Sequence, residues 1–128
     1  MMHYEMKLYD EYFELVRKKI KKYEIRLNDE KRKVIEKGDT INFSNYSFPN
    51  KYITVVVKEK QYFHSFEDIL NYTPLNSIGF LGESIESALD KIYKIYNENE
   101  ERKLGVILLK IEPILIKNTE YNKNTITI

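Results

Sequence analysis

Apolar and polar positions alternate most clearly at residues 22–27, Lys-Tyr-Glu-Ile-Arg-Leu. Successive side chains of an extended strand leave opposite faces. Tyr23, Ile25 and Leu27 therefore form an apolar face, and Lys22, Glu24 and Arg26 a charged one, with Lys21 where the strand begins. The apolar face is fit for burial. The charged face, two cations flanking a carboxylate, is fit to recognise a polar and anionic small group.

The same patterning predicts the other elements. Residues 4–8 read as a short strand. Asp10 is placed to cap a helix in which Phe13, Val16 and Ile20 fall on one stripe, with Arg17, Lys18 and Lys19 in the last turn, where the helix dipole favours cations. A second short helix is expected over 30–36, opened by Asn28 or Asp29 and stopped at Gly38. Strands follow at 40–44, with Ile41 and Phe43 inward, and at 52–58, the latter rich in β-branched residues and able to run on to Phe63. The Asn, Ser and Pro of 45–50 mark a loop between them.

Ser65 and Asp68 have the spacing of a capping box and open a helix to about residue 71. Residues 73–82, with Pro74, Gly79 and Gly82, read as irregular. From Ser84, the positions Ile85, Ala88, Leu89, Ile92, Tyr93 and Tyr96 repeat with helical period, which places Tyr93 and Tyr96 in the core; the helix ends in the polar run 97–102. Residues 106–112 form a buried strand whose regular pairing Pro113 limits. Residues 120–124 read as loose, and 125–128 as a small edge strand or a frayed end. Short strands, mixed connections and scattered helices give an α+β fold: a small, largely closed sheet with helices over its ends.

Composition narrows the function classes. The 128 residues suit one domain with a real core, and 42% hydrophobic against 32% charged residues suits a folded chain. No apolar run reaches membrane-spanning length, and the first residues lack the apolar core of a leader peptide. Without cysteine there are no disulfides or thiolate metal sites. A cytoplasmic protein is expected, with no membrane partner. His3 and His64 are isolated, so no metal is expected, and no cofactor-binding glycine loop occurs.

The net charge of +1 predicts no polyanion partner by itself. Its distribution says more. Residues 17–37 hold ten Lys/Arg and four Asp/Glu, whereas residues 67–101 hold eight Asp/Glu and two Lys. Either the basic stretch presents one face to a nucleic acid, or the two stretches attract each other.

Several short segments together resemble a known family. They are Glu5-Met6-Lys7-Leu8, Lys21-x-x-Glu24-x-Arg26-Leu27-Asn28-Asp29, Lys37-Gly38-Asp39-Thr40-Ile41-x-Phe43, Ser65-Phe66-Glu67-Asp68, and Leu104-Gly105-Val106 leading to Glu112. In order and spacing they resemble the activating-signal-cointegrator homology (ASCH) domain. The resemblance spans roughly residues 3–112 and leaves 113–128 as a C-terminal extension of a single domain over 1–128.

That resemblance implies a small PUA-like β-barrel of about five or six strands with flanking helices, and a cleft lined by the Lys-x-x-Glu-x-Arg strand. It also implies a link to RNA. Some small bacterial members are amidohydrolases that deacetylate acetylcytidine, and others cleave RNA. In the amidohydrolases a catalytic lysine precedes a threonine nucleophile by three residues. Lys21 matches the lysine, but Glu24 stands where the threonine would be, and a carboxylate is a poor substitute for an activated hydroxyl. Glu83 is the nearest acidic candidate for their distal glutamate.

The candidate ligand-binding residues are therefore Lys21, Lys22, Glu24 and Arg26, with Tyr62 and Ser65 near the family's Ser-Phe segment. Tyr62 is a candidate to stack a base. Arg26 can grip a phosphate or stack on a base, or simply pair with Glu24. The leading expectation is a module that binds RNA or a nucleotide. The alternatives are a metal-independent hydrolase of a modified nucleoside or of RNA, with Lys21 and Glu24 as the catalytic pair, and a protein-interaction module using the acidic helix from Ser84.

Overall fold

Val106, Ile107, Leu108 and Leu109 are apolar without alternation, and all four are buried. A strand of this kind must be covered on both faces, and the architecture follows from that requirement. The structure, a computed structural model, describes residues 1–119. Its strands are β1 (His3–Leu8), β2 (Tyr23–Leu27), β3 (Thr40–Asn45), β4 (Tyr52–Phe63) and β5 (Val106–Lys117). Its helices are α1 (Asp10–Arg17), α2 (Phe66–Tyr72), α3 (Leu75–Ile78), α4 (Ile85–Ile92) and α5 (Glu98–Leu104). The expectations for 120–128 lie outside the described residues.

The strands form one mixed sheet in the order β1-β3-β4-β5-β2, with β1 parallel to β3 and the other neighbours antiparallel. One face carries a core of Met6, Leu8, Ile41, Phe43, Ile53, Val55, Ile107 and Leu109, plugged by Phe13 and Val16 of α1. The other face of β2 and β5, with Ile25, Leu27, Val106 and Leu108, packs against Phe66, Ile69, Ile78, Phe80, Ala88 and Ile92 from the helical side. β5 divides the two cores.

The α+β class and the barrel-like plan expected from the sequence are those of the structure. The sheet, however, does not close: β1 and β2 are its margins. What bridges them is a side chain. The Arg26 Nη2 group on β2 donates to the Lys7 carbonyl on β1 at 3.1 Å.

Several elements differ from expectation. Residues 30–34 form turns rather than a helix; Asp29 caps a single turn by accepting from the Arg32 N–H, and the chain then drops the fully buried Ile35 into the first core. Asp10 is the first residue of α1 and not its cap; its carboxylate accepts from the Asn45 side chain. α1 ends at Arg17, and Lys19 turns the chain at φ 62°, so Ile20 leaves the helical stripe and is exposed.

The polar run 97–102 forms a separate helix, α5. Asn97 caps it, accepting from the Asn99 and Glu100 N–H groups, and its acids precede its bases as the dipole prefers. Its inward residue is Glu101, whose carboxylate accepts from the Phe66 N–H and the Tyr93 hydroxyl. A helix that buries a carboxylate shows no apolar stripe.

Finally, β5 continues past Pro113 to Lys117. Val55 pairs with Pro113 and Thr54 with Leu115, so Ile114 is the extra residue of a bulge. The bulge accommodates a residue that cannot donate to the ladder.

Candidate functional site

β2 sets the geometry. Its register places Glu24 opposite Leu109 and Arg26 opposite Ile107. Residues directly opposite share a face, so both charged groups point to the side of the first core, while Ile25 and Leu27 join the second. Glu24 and Arg26 thus sit inside the barrel-like curve, near its open margin.

There they form a connected triad with Lys21. The Glu24 Oε1 atom accepts from the Lys21 Nζ at 3.1 Å and from the Ile25 N–H at 3.2 Å. Its Oε2 accepts from Arg26 Nη2 at 2.9 Å and Nε at 3.1 Å. Lys21 also donates to the carbonyls of Tyr23 at 2.6 Å and Ile78 at 2.7 Å. Side-chain exposures of 3% for Lys21, 5% for Glu24 and 16% for Arg26 make Arg26 the member that reaches the surface.

Burial works against the charge on Glu24, but the Lys21 and Arg26 cations outweigh it and hold its pKa below the ordinary carboxylate value. Burial draws the Lys21 pKa down, and Glu24 pulls it back. Three acceptors surround the Lys21 nitrogen, and only the ammonium has three N–H groups to satisfy them. That geometry favours the ammonium against the pull of burial. Burial also opposes the Arg26 charge, but Glu24 wins and raises its pKa.

The triad lies along a cavity of about 230 Å³. Aromatic residues wall it: Tyr9, Tyr12, Tyr46, Phe80 and Tyr96, with Lys7 and Lys91 among its cations. Tyr12 meets Phe80 edge-on, and Tyr96 lies against Phe66 with ring centroids 5.0 Å apart. Burial raises the pKa of Tyr12 and of Tyr96 and keeps both phenols neutral.

Lys21, Glu24 and Arg26 are thus brought together, and the other sequence candidates are not. Lys22 is exposed and does not line the cavity; the strand starts at Tyr23, so alternation does not extend back to it. Tyr62 is half exposed on β4, and its ring occupies the space that a Cβ on Gly105 would need. Gly105 has φ 73°, so that position favours glycine on both counts. Ser65 caps α2, accepting from the Asp68 N–H at 3.1 Å. Replacing Ser65 by alanine is expected to cost about 1 kcal/mol in a denaturant titration; an unchanged midpoint would deny it that role. Glu83 accepts from Ser87 and Lys91 and does not itself line the cavity.

Among the described residues, the side-chain ion pairs of the basic stretch stay local and do not reach the acidic one. Arg17 pairs with Glu14, Arg32 with Asp29 and Lys33 with Glu30, each three residues away.

Sequence reasoning missed the aromatic wall. Helical periodicity places Tyr96 on the α4 stripe, but α4 stops at Ile92, and the following turns carry Tyr96 both onto Phe66 and into the cavity. The eleven tyrosines were the available signal.

Residues 6–115 match the family model of the ASCH domain. The chain belongs to the ASCH domain family. Two solved structures are similar to this ASCH domain. Hypothetical protein PH0355, known from a crystal structure, is 36% identical over 88% of this chain and 99% of its own, with a TM-score of 0.79. Protein PF0455 from Pyrococcus furiosus, solved by NMR in solution, is 35% identical over 88% of this chain and 97% of its own, with a TM-score of 0.70. No curated protein matches the chain. The open, barrel-like α+β arrangement is the PUA-like ASCH fold. No helix among the described residues of this ASCH domain is long and apolar enough to cross a membrane.

Proposed function

We propose that this ASCH domain binds single-stranded RNA or a nucleotide, with one base or nucleoside held in the cavity against Arg26. The observation that carries the reading is how the triad is wired. Lys21 and Glu24 spend their hydrogen-bonding capacity inside the protein. The Arg26 bonds to Glu24 and Lys7 run through Nε and Nη2, which among the described residues leaves Nη1 as its donor toward a ligand. The pair fixes a guanidinium, and a fixed guanidinium suits a phosphate oxygen, a base edge or a base face.

The cavity wall supports the same reading. Ligand pockets for larger molecules run from about 300 Å³ upward, so about 230 Å³ suits a single base or nucleoside. Tyrosine and phenylalanine rings are the surfaces on which unstacked RNA bases are held. A hydrolase would need Lys21 or Glu24 to exchange a proton. The lowered Glu24 pKa makes that carboxylate a weak base, and the three acceptors on Lys21 oppose the loss of its proton although burial lowers its pKa.

The test is a titration of the protein with short single-stranded RNAs and with the four ribonucleoside monophosphates across a salt series. Binding is expected, and the RNA affinity should fall as salt rises in proportion to the phosphates engaged. Absence of binding to every probe overturns the reading. Release of acetate from acetylcytidine, or cleavage of the RNA, would move the assignment to the hydrolase.

A further inference from the structure

At the mouth of the cavity two large aromatics stand out in solvent. Tyr9 is 54% exposed and Tyr46 61% exposed. Their ring centroids are 5.3 Å apart, tilted by 47°, and the Lys7 ammonium lies 5.7 Å from the centre of the Tyr46 ring. Exposed tyrosines paired with each other beside a cation are not what core packing produces. All three residues line the cavity that holds Arg26.

The backbone under this pair is tightly held. The Tyr46 N–H donates to the Leu8 carbonyl at 2.8 Å, where β1 ends. The neighbouring Asn45 is 1% exposed. Its side-chain oxygen accepts from the Ser47 and Phe48 N–H groups, and its amide donates to Asp10. Tyr9 immediately precedes α1, and its carbonyl accepts from the Phe13 N–H. Two rings on such a backbone lose little freedom when something lies against them. The platform is also joined to the cavity floor, because the Lys7 carbonyl is the one that Arg26 grips.

We propose that Tyr9, Tyr46 and Lys7 form a second subsite, which takes the nucleotide adjoining the one in the cavity. Its base stacks on one ring of the tyrosine pair and meets the other, tilted by 47°, at its edge, and the connecting phosphate lies beside the Lys7 ammonium. The physiological ligand is then a stretch of single-stranded RNA of at least two nucleotides, not a free nucleoside. This rests on the reading above that a base occupies the cavity, and adds that the site is built to read a strand.

Stacking of one more base on an aromatic platform raises affinity by roughly tenfold or more. The best-binding of the four monophosphates is compared with an RNA trinucleotide carrying that base at its centre between two adenosines. The trinucleotide is expected to bind at least tenfold tighter. In the double variant Tyr9→Ala, Tyr46→Ala that ratio should fall towards one, and Tyr46→Phe alone should retain most of it. Arg26→Ala should weaken the monophosphate as well as the trinucleotide, which separates it from the tyrosine variant, whose loss is confined to the trinucleotide.

A trinucleotide that binds no better than the monophosphate overturns the second subsite while leaving the cavity reading standing. So does a ratio that survives the double alanine variant. If neither ligand binds, both readings fall together.

Discussion

Replacing Glu24 by alanine is expected to destabilise the fold by about 3–5 kcal/mol, the usual consequence of stranding a buried charge. The Lys21 ammonium, with a side chain 3% exposed, would keep two carbonyl partners but lose the counter-charge that Glu24 supplies. Arg26 would lose the two bonds that aim it. Against a typical domain stability of about 5–15 kcal/mol this is a large share, and denaturant melts of the purified variant will read it directly. A loss below about 1 kcal/mol, the size of an exposed pair, would show that the triad does not hold the fold together.

The pH dependence of stability follows from the same group. The folded-state pKa of Glu24 lies below its unfolded value, so it contributes its full stabilisation above the unfolded carboxylate value of about 4.3. That contribution disappears as pH falls through the lowered, folded value. Glu24→Gln should flatten this acid limb. Replacing the pair together, as Lys21→Met with Glu24→Leu, should recover part of the stability lost in Glu24→Ala, because no buried lysine charge is then left alone.

The second large effect is on binding. Arg26→Ala is expected to lower affinity for RNA by roughly 10–100-fold, the worth of one charge-assisted hydrogen bond lost from the ligand. Arg26→Lys keeps the charge but not the fork, which is needed to engage Glu24, Lys7 and a ligand at once, so it should recover only part of the affinity. Full recovery by lysine would mean that only charge matters at this position. Wild-type affinity in Arg26→Ala would remove the cavity from the binding site altogether.

How much of this was legible in the sequence depended on whether local periodicity extended across a whole element. β2 and β5 are extended throughout their buried parts, so their facing residues could be read off directly, and the apolar run 106–109 announced a strand covered on both sides. Lys21 and Lys22 lie just outside the strand. There the coil reverses the expected parity, and Lys21 rather than Lys22 turns inward. α5 was hidden because its buried residue is Glu101, and a carboxylate turned inward to bond the Phe66 N–H and the Tyr93 hydroxyl carries no hydropathy signal. The cavity wall was hidden for another reason. Tyr9, Tyr46 and Tyr96 come from three separate connections between elements, and no spacing along the chain relates them.

The bridge from Arg26 to the Lys7 carbonyl sets the open margin of the sheet apart from its other seams. Neighbouring strands are held by rows of backbone bonds, whereas β1 and β2 are linked by a guanidinium that belongs to no ladder. The link across that margin is therefore a property of one side chain, so a substitution at Arg26 removes it while every backbone ladder stays in place.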